Sequence, residues 1–322
     1  MRPLFRRLLA AAEVSRVTAA FGAIANVWLM ILLARREEAL ADLPVVALPL
    51  PVALGAGALV AAGFLAFGAA LNDFLDAKHD RAFAPERALP SGNLPPRRAM
   101  QLAFLALGAG ILGASAFGGA GLLAALLLGG LILLYDAFGK HVPALGLVVI
   151  GLATALSMLV PAPTQTFLLP VWLAMSQTMG VGALAYVVGE KRPRLTRRAT
   201  LAGAAGWLFW SGVLLGSGFL RTGWLVPWWF DPARLWIPAV IVAVGAVVGF
   251  VAMRGRRGLR AADALLHVAS LWKSLVVSGW LLAAGLEREA IAIAAIALLL
   301  ATSLALVRAF GPALLEPVGW RS

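Results

Sequence analysis

The sequence predicts an all-α, polytopic membrane bundle, and three observations carry that prediction. Hydrophobic residues make up 61% of the 322-residue chain and charged residues only 13%, with a mean hydropathy of +0.91. A water-soluble domain carries about 25% charged residues. Apolar runs long enough to cross a bilayer recur from end to end. The basic residues that give a net charge of +12 sit in the short gaps between those runs, a placement that fits orientation at a membrane and excludes nucleic acid as a partner.

Taken in order, the spans are expected at about 14–34, 45–71, 98–117, 120–135, 143–160, 166–188, 199–219, 236–253, 262–285 and 289–308. This gives a bundle of nine to ten transmembrane helices, with ten preferred. Arg2, Arg6 and Arg7 precede the apolar Leu8–Ala12, but Glu13 and Arg16 interrupt it, so a retained anchor is expected rather than a cleaved leader. Of the 27 Lys and Arg residues, only Arg35, Arg36, Arg221, Arg234 and Arg288 fall on one side, and only Lys273 falls within a span. The others lie opposite, which predicts an integral protein of a bacterial-type inner membrane with the N-terminus and acidic motif in the cytoplasm. The longest loop is expected at 72–97. Trp224, Trp228, Trp229 and Trp236 between the seventh and eighth spans read as interface anchors. No linker divides the chain, so residues 1–322 are expected to form one domain. There is no cysteine and no H-E-x-x-H pattern among the three His, which removes disulfide, thiolate and zinc chemistry.

The informative stretch is Asn72-Asp73-Phe74-Leu75-Asp76-Ala77-Lys78-His79-Asp80, directly after the second apolar run. If the helix continues through it, Asp73, Asp76 and Asp80 fall at i, i+3 and i+7 on one face. Three convergent carboxylates repel unless a cation neutralises them. Mg²⁺, a hard ion that takes oxygen ligands and shares them with substrate phosphates, suits such a set. The alternative is a solvated acidic loop. Downstream comes Arg87-Ala88-Leu89-Pro90-Ser91-Gly92. The pair N-D-x-x-D-x-x-x-D and R-x-L-P-S-G resembles the signature of the UbiA superfamily of intramembrane prenyltransferases.

That resemblance implies Mg²⁺-dependent transfer of a polyprenyl group from a prenyl diphosphate to an aromatic or other lipid-forming acceptor. It implies Asp73, Asp76 and Asp80 as catalytic metal ligands with Asn72 in support, and Arg87 on the diphosphate. Tyr135 to Lys140 is similar to a Tyr/Lys feature of the family and adds Tyr135 and Lys140 as diphosphate contacts. Where the family has a second Asp-rich motif, this chain has Glu190, Lys191 and Arg192. Glu190 is then a candidate ligand for a second metal, and Lys191 and Arg192 are candidate diphosphate contacts. Arg16 and Asn26 resemble an Arg and an Asn of the family's first helix. Lys273 belongs to none of these motifs. It lies about twelve residues from either end of its span, roughly 18 Å at 1.5 Å per residue, too far to snorkel.

The leading expectation is therefore a lipid-embedded prenyltransferase. Two rivals remain at this stage: a terpene-cyclase-like enzyme that needs no acceptor, and a non-catalytic component of a membrane complex that binds or transports a prenyl lipid. The departure at the second motif favours the rivals, while the intact first motif favours transfer.

Overall fold

The computed structural model describes residues 17–83, 89–92, 94–191 and 193–315, and these contain no β-strand. Ten long helices follow one another among the described residues: α1 Val17–Ala34, α2 Leu50–Phe83, α3 Pro96–Ser115, α4 Gly118–Ala137, α5 Pro143–Leu159, α6 Leu169–Val188, α7 Arg197–Thr222, α8 Trp236–Met253, α9 Leu259–Ala283 and α10 Glu287–Leu315. A single helical turn, Pro44–Ala47, precedes α2. Seven helices, α2 to α4 and α6 to α9, are long and apolar enough to cross a membrane, and Ala19–Ala34 and Pro143–Leu159 are shorter apolar helices.

The helix boundaries follow local chemistry. Pro96 and Pro143 open α3 and α5, and Pro170 lies in the first turn of α6, where a missing N–H costs nothing. Thr196 caps α7 by accepting a hydrogen bond from the Ala199 N–H at 3.3 Å, and Gly223, at φ 77°, ends the same helix. The expected loop at 72–97 is shorter than the sequence pattern indicated. Helix α2 runs on through the acidic stretch to Phe83, because no Pro or Gly interrupts residues 69–83 and charged side chains at a membrane exit do not break a helix.

Close packing of small residues organises the bundle. An added Cβ on Gly63 of α2 would lie 2.6 Å from the Gly110 nitrogen of α3, so these two backbones are in contact. Helix α9 is the hub. It packs on α1, α6, α8 and α10 and buries residues along most of its length. Because successive helices reverse direction, their ends form two sets. One set brings together the ends of α2, α4 and α6 with the start of α9. The other joins the 35–50, 160–169 and 223–236 segments to the end of α9.

The second set is sealed. Phe167, with no exposed surface, meets Trp280 at 5.6 Å between ring centroids, Phe230 at 4.9 Å and Trp229 at 5.9 Å. Trp229 is therefore half-buried, packed against this core. Its neighbours Trp224, Trp228 and Trp236 are exposed. Around the aromatic plug, the Thr166 hydroxyl donates to Glu37, Arg221 donates to the Gln165 carbonyl at 3.1 Å, and Arg35 donates to the Leu48 carbonyl. Burial pushes the Glu37 carboxyl above its ordinary pKa, opposed by the Thr166 hydrogen bonds and the nearby Arg221.

Candidate active site

The continued α2 helix places Asn72, Asp73 and Asp76 within five residues on neighbouring positions of one face, all half-buried. Asp80 lies one turn further along the same helix, but its side chain is outside the described residues, as are Arg16, Arg87 and Arg192 altogether.

Opposite α2 stands the turn that follows α4. Residues 139–141 form a short 3-10 turn folded tightly onto α5. The fold requires Gly146 there, since an added Cβ would sit 2.6 Å from the Gly139 carbonyl oxygen. This turn delivers Lys140, whose ammonium donates to Asp76 Oδ1 at 2.5 Å. The Lys140 side chain is only 14% exposed and that of Asp76 26%, so this pair is partly shielded from water and stronger than a surface ion pair. Tyr186 of α6 donates from its hydroxyl to the Lys140 carbonyl at 3.3 Å, which ties the sixth helix to the same point. Tyr135, one α-helical turn before Lys140, is half-buried.

Asp136 is a residue that sequence reasoning did not select. It lies in the last turn of α4, is 3% exposed, and is engaged in an interaction. The available signal was its place as a carboxylate at the end of an otherwise apolar span, beside Tyr135.

The degenerate second motif is at the same end of the bundle but is built differently. Helix α6 closes with Glu190 at φ 50°, a left-handed conformation usual for Gly at a helix end. The Lys191 N–H returns to the Tyr186 carbonyl at 3.2 Å, and the Lys191 ammonium stands 5.4 Å from the centre of the Tyr186 ring. Glu190 and Lys191 are exposed. Asn26 is a buried side chain of α1, 6% exposed.

Leu89-Pro90-Ser91-Gly92 forms a tight turn, with the Gly92 N–H on the Leu89 carbonyl at 3.1 Å and Gly92 at φ 78°. Proline at the second position and a glycine free to take positive φ at the fourth explain this part of the motif as turn chemistry. Leu89 is buried and fixes the turn to the bundle.

The apolar helices, the acidic face of α2 and the tight L-P-S-G turn agree with a sequence model described as the UbiA prenyltransferase family, which matches residues 39–273. The chain belongs to this family. It is an integral membrane prenyltransferase. No curated protein matches it by sequence. Its fold is similar to a solved structure of a digeranylgeranylglyceryl phosphate synthase in membranes, at a TM-score of 0.54 and 16% identity over 88% of this chain and 99% of that one. At that identity the likeness concerns the fold. The UbiA match spans both the α2 motif and Lys140, and it ends at Lys273.

The residues at the motif end suit Mg²⁺ by donor type. Asp73 and Asp76 offer carboxylate oxygens three residues apart, half-buried, with the Asn72 side chain alongside. Among the described residues no three acidic, His or Cys side chains form a ready metal cage.

Proposed function

We propose that this UbiA protein transfers a polyprenyl group from a prenyl diphosphate to an aromatic or lipid-forming acceptor within the membrane, in a Mg²⁺-dependent reaction at the α2 motif. The observation that carries the reading is the meeting of Asp76 and Lys140 at 2.5 Å beside Asp73, at the end of the bundle that holds the α2 motif.

In this reading Asp73, Asp76 and Asp80 hold the metal, Asn72 supports them, and Glu190 is the ligand for a second ion. Bound there, Mg²⁺ supplies positive charge to the diphosphate oxygens as the leaving group departs. The carbon–oxygen bond of the prenyl diphosphate breaks, the diphosphate leaves with the electron pair, and the acceptor atom bonds to the freed carbon and releases its proton. Lys140, positioned by Asp76, directs its remaining N–H donors at the diphosphate. Arg87, Lys191 and Arg192 add charge from the surrounding loops, with Tyr135, Arg16 and Asn26 completing the substrate contacts. The apolar helices below the motif keep water from the allylic cation. The distribution of basic residues supports a cytoplasmic motif, with residues 1–322 acting as one domain in a bacterial-type inner membrane.

The test is diphosphate release from geranylgeranyl diphosphate by lipid-reconstituted protein, with and without Mg²⁺ and with and without a panel of aromatic and lipid-forming acceptors, beside an Asp73→Ala/Asp76→Ala variant. Release that needs Mg²⁺ and is lost in the variant is expected. Equal release by the variant would sink the assignment. Full turnover without any acceptor would replace transfer by a cyclase-like reaction.

A further inference from the structure

The end of α6 folds one side chain back on the helix. The Lys191 N–H donates to the Tyr186 carbonyl at 3.2 Å and the Glu190 N–H donates to the Val187 carbonyl at 3.3 Å, with Glu190 left-handed between them at φ 50°. This pair of bonds is the cap that lays the second residue beyond a helix against its last turn, a contact that is ordinarily apolar. Here the returned residue is Lys191, and it meets an aromatic face. Its ammonium stands 5.4 Å from the centre of the Tyr186 ring, inside the roughly 6 Å over which a ring attracts a cation. Among the described residues Lys191 has no ion pair.

The cap is held in place from behind. An added Cβ on Gly189 would lie 2.7 Å from the Ala185 carbonyl oxygen and 3.1 Å from Ala262 Cβ of α9. Ala185 and Ala262 belong to one buried cluster with Leu265. The last turn of α6 is therefore seated on α9, and the direction of the returning chain follows from that seat.

The same tyrosine also reaches the facing turn. Its hydroxyl donates to the Lys140 carbonyl at 3.3 Å, and the Lys140 ammonium donates to Asp76 at 2.5 Å. One side chain thus touches two lysines: the ring meets the ammonium of Lys191 and the hydroxyl meets the backbone of Lys140. A lysine is a point charge on a flexible stem, and ordering that stem opposes binding. Contacts that order it in advance reduce this cost.

We propose that Tyr186 is a positioning residue for the prenyl diphosphate, fixing Lys140 through its hydroxyl and Lys191 through its ring so that both cations serve one leaving group. The proposal rests on the transfer reading above and deepens it. It gives the end of α6, where Lys191 and Arg192 stand in place of acidic residues, a part in leaving-group binding that runs through a tyrosine and a lysine.

The experiment measures equilibrium binding of geranylgeranyl diphosphate, and of geranylgeraniol as the probe without phosphate, to lipid-reconstituted protein. Tyr186→Phe keeps the ring and loses the hydroxyl. It should weaken diphosphate binding roughly two- to tenfold, the range of one ordinary hydrogen bond. Tyr186→Leu loses the ring as well and should weaken binding by roughly a further two- to fivefold, the range of an exposed cation–π contact. In a Lys140→Met background the Tyr186→Phe loss should vanish. In a Lys191→Met background the additional loss of Tyr186→Leu over Tyr186→Phe should vanish, because coupled residues are not additive. Geranylgeraniol binding should stay at the wild-type level in every variant. The proposal is overturned alone if the lysine variants weaken diphosphate binding and the Tyr186 losses add to theirs in full, or if geranylgeraniol binding falls in parallel. Diphosphate binding that neither lysine variant changes overturns it together with the reading of those lysines as diphosphate contacts. Diphosphate release by Asp73→Ala/Asp76→Ala is the separate result that sinks the transfer reading.

Discussion

The two ends of this bundle handle polar groups in opposite ways. At the sealed end, Glu37 and Gln165 are buried among aromatic rings, and Glu37 Oε2 and both side-chain atoms of Gln165 have no hydrogen-bond partner among the described residues. At the motif end the carboxylates remain half-buried and within reach of a cation. The first arrangement locks loops together, while the second keeps charge available for a ligand. The difference separates stability from chemistry along the membrane normal, and it predicts that variants at the two ends have different phenotypes.

The largest effect is expected at the motif end. Asp73→Ala/Asp76→Ala should reduce Mg²⁺-dependent diphosphate release about 10³-fold, since each preorganised charge contact contributes on the order of 10²–10³ to such a step, while the thermal melt in detergent stays close to wild type. Phe167→Ala at the opposite end should show the reverse pattern. Loss of the central ring of the plug is expected to cost roughly 3–5 kcal/mol of stability, read as a lower melting temperature, with the remaining folded protein keeping its dependence on Mg²⁺.

Lys140→Met sharpens the comparison, because it removes one partner of the Asp76 pair. Weakening of geranylgeranyl diphosphate binding by roughly 10- to 100-fold is expected, corresponding to about 1.5–3 kcal/mol for a charge-assisted hydrogen bond. A variant that binds as tightly as wild type would show that Lys140 only orders the turn.

The smallest effects come from two glutamates. Burial raises the Glu37 pKa, so the folded state favours the protonated carboxyl. Its contribution to stability is complete below the ordinary carboxylate range and is lost as pH rises through the raised value. Glu37→Gln should therefore gain stability relative to wild type as pH rises from about 4 toward neutrality, in paired melts at each pH. Glu190→Gly should relieve a left-handed backbone and stabilise by about 1 kcal/mol. An accompanying fall in Mg²⁺ affinity would assign the carboxylate to a metal.

Much of this architecture was legible because membrane helices advertise themselves by length and apolarity. The second span was misjudged at its end: the acidic residues of 72–80 look like a loop by polarity, but nothing there breaks a helix, and α2 continues to Phe83. Four tryptophans in one loop share a composition signal, and only packing against Phe167 separates the half-buried Trp229 from the three exposed ones. At the site, the α2 spacing placed Asp73 and Asp76 on one face in advance. The partnership of Lys140 with Asp76 joins residues 64 positions apart, a relation that local periodicity does not contain. The burial of Asp136 was hidden for the same reason. Lys273 was conspicuous in the sequence as a charge in mid-span.

The most direct test of the account compares Mg²⁺-dependent diphosphate release from geranylgeranyl diphosphate, in the presence of the acceptor panel, by wild type, Asp73→Ala/Asp76→Ala and Glu37→Gln in the same lipid. The account predicts release by wild type and Glu37→Gln and its loss in the double variant. Equal release by all three would show that the acidic face of α2 is not where the prenyl diphosphate is ionised.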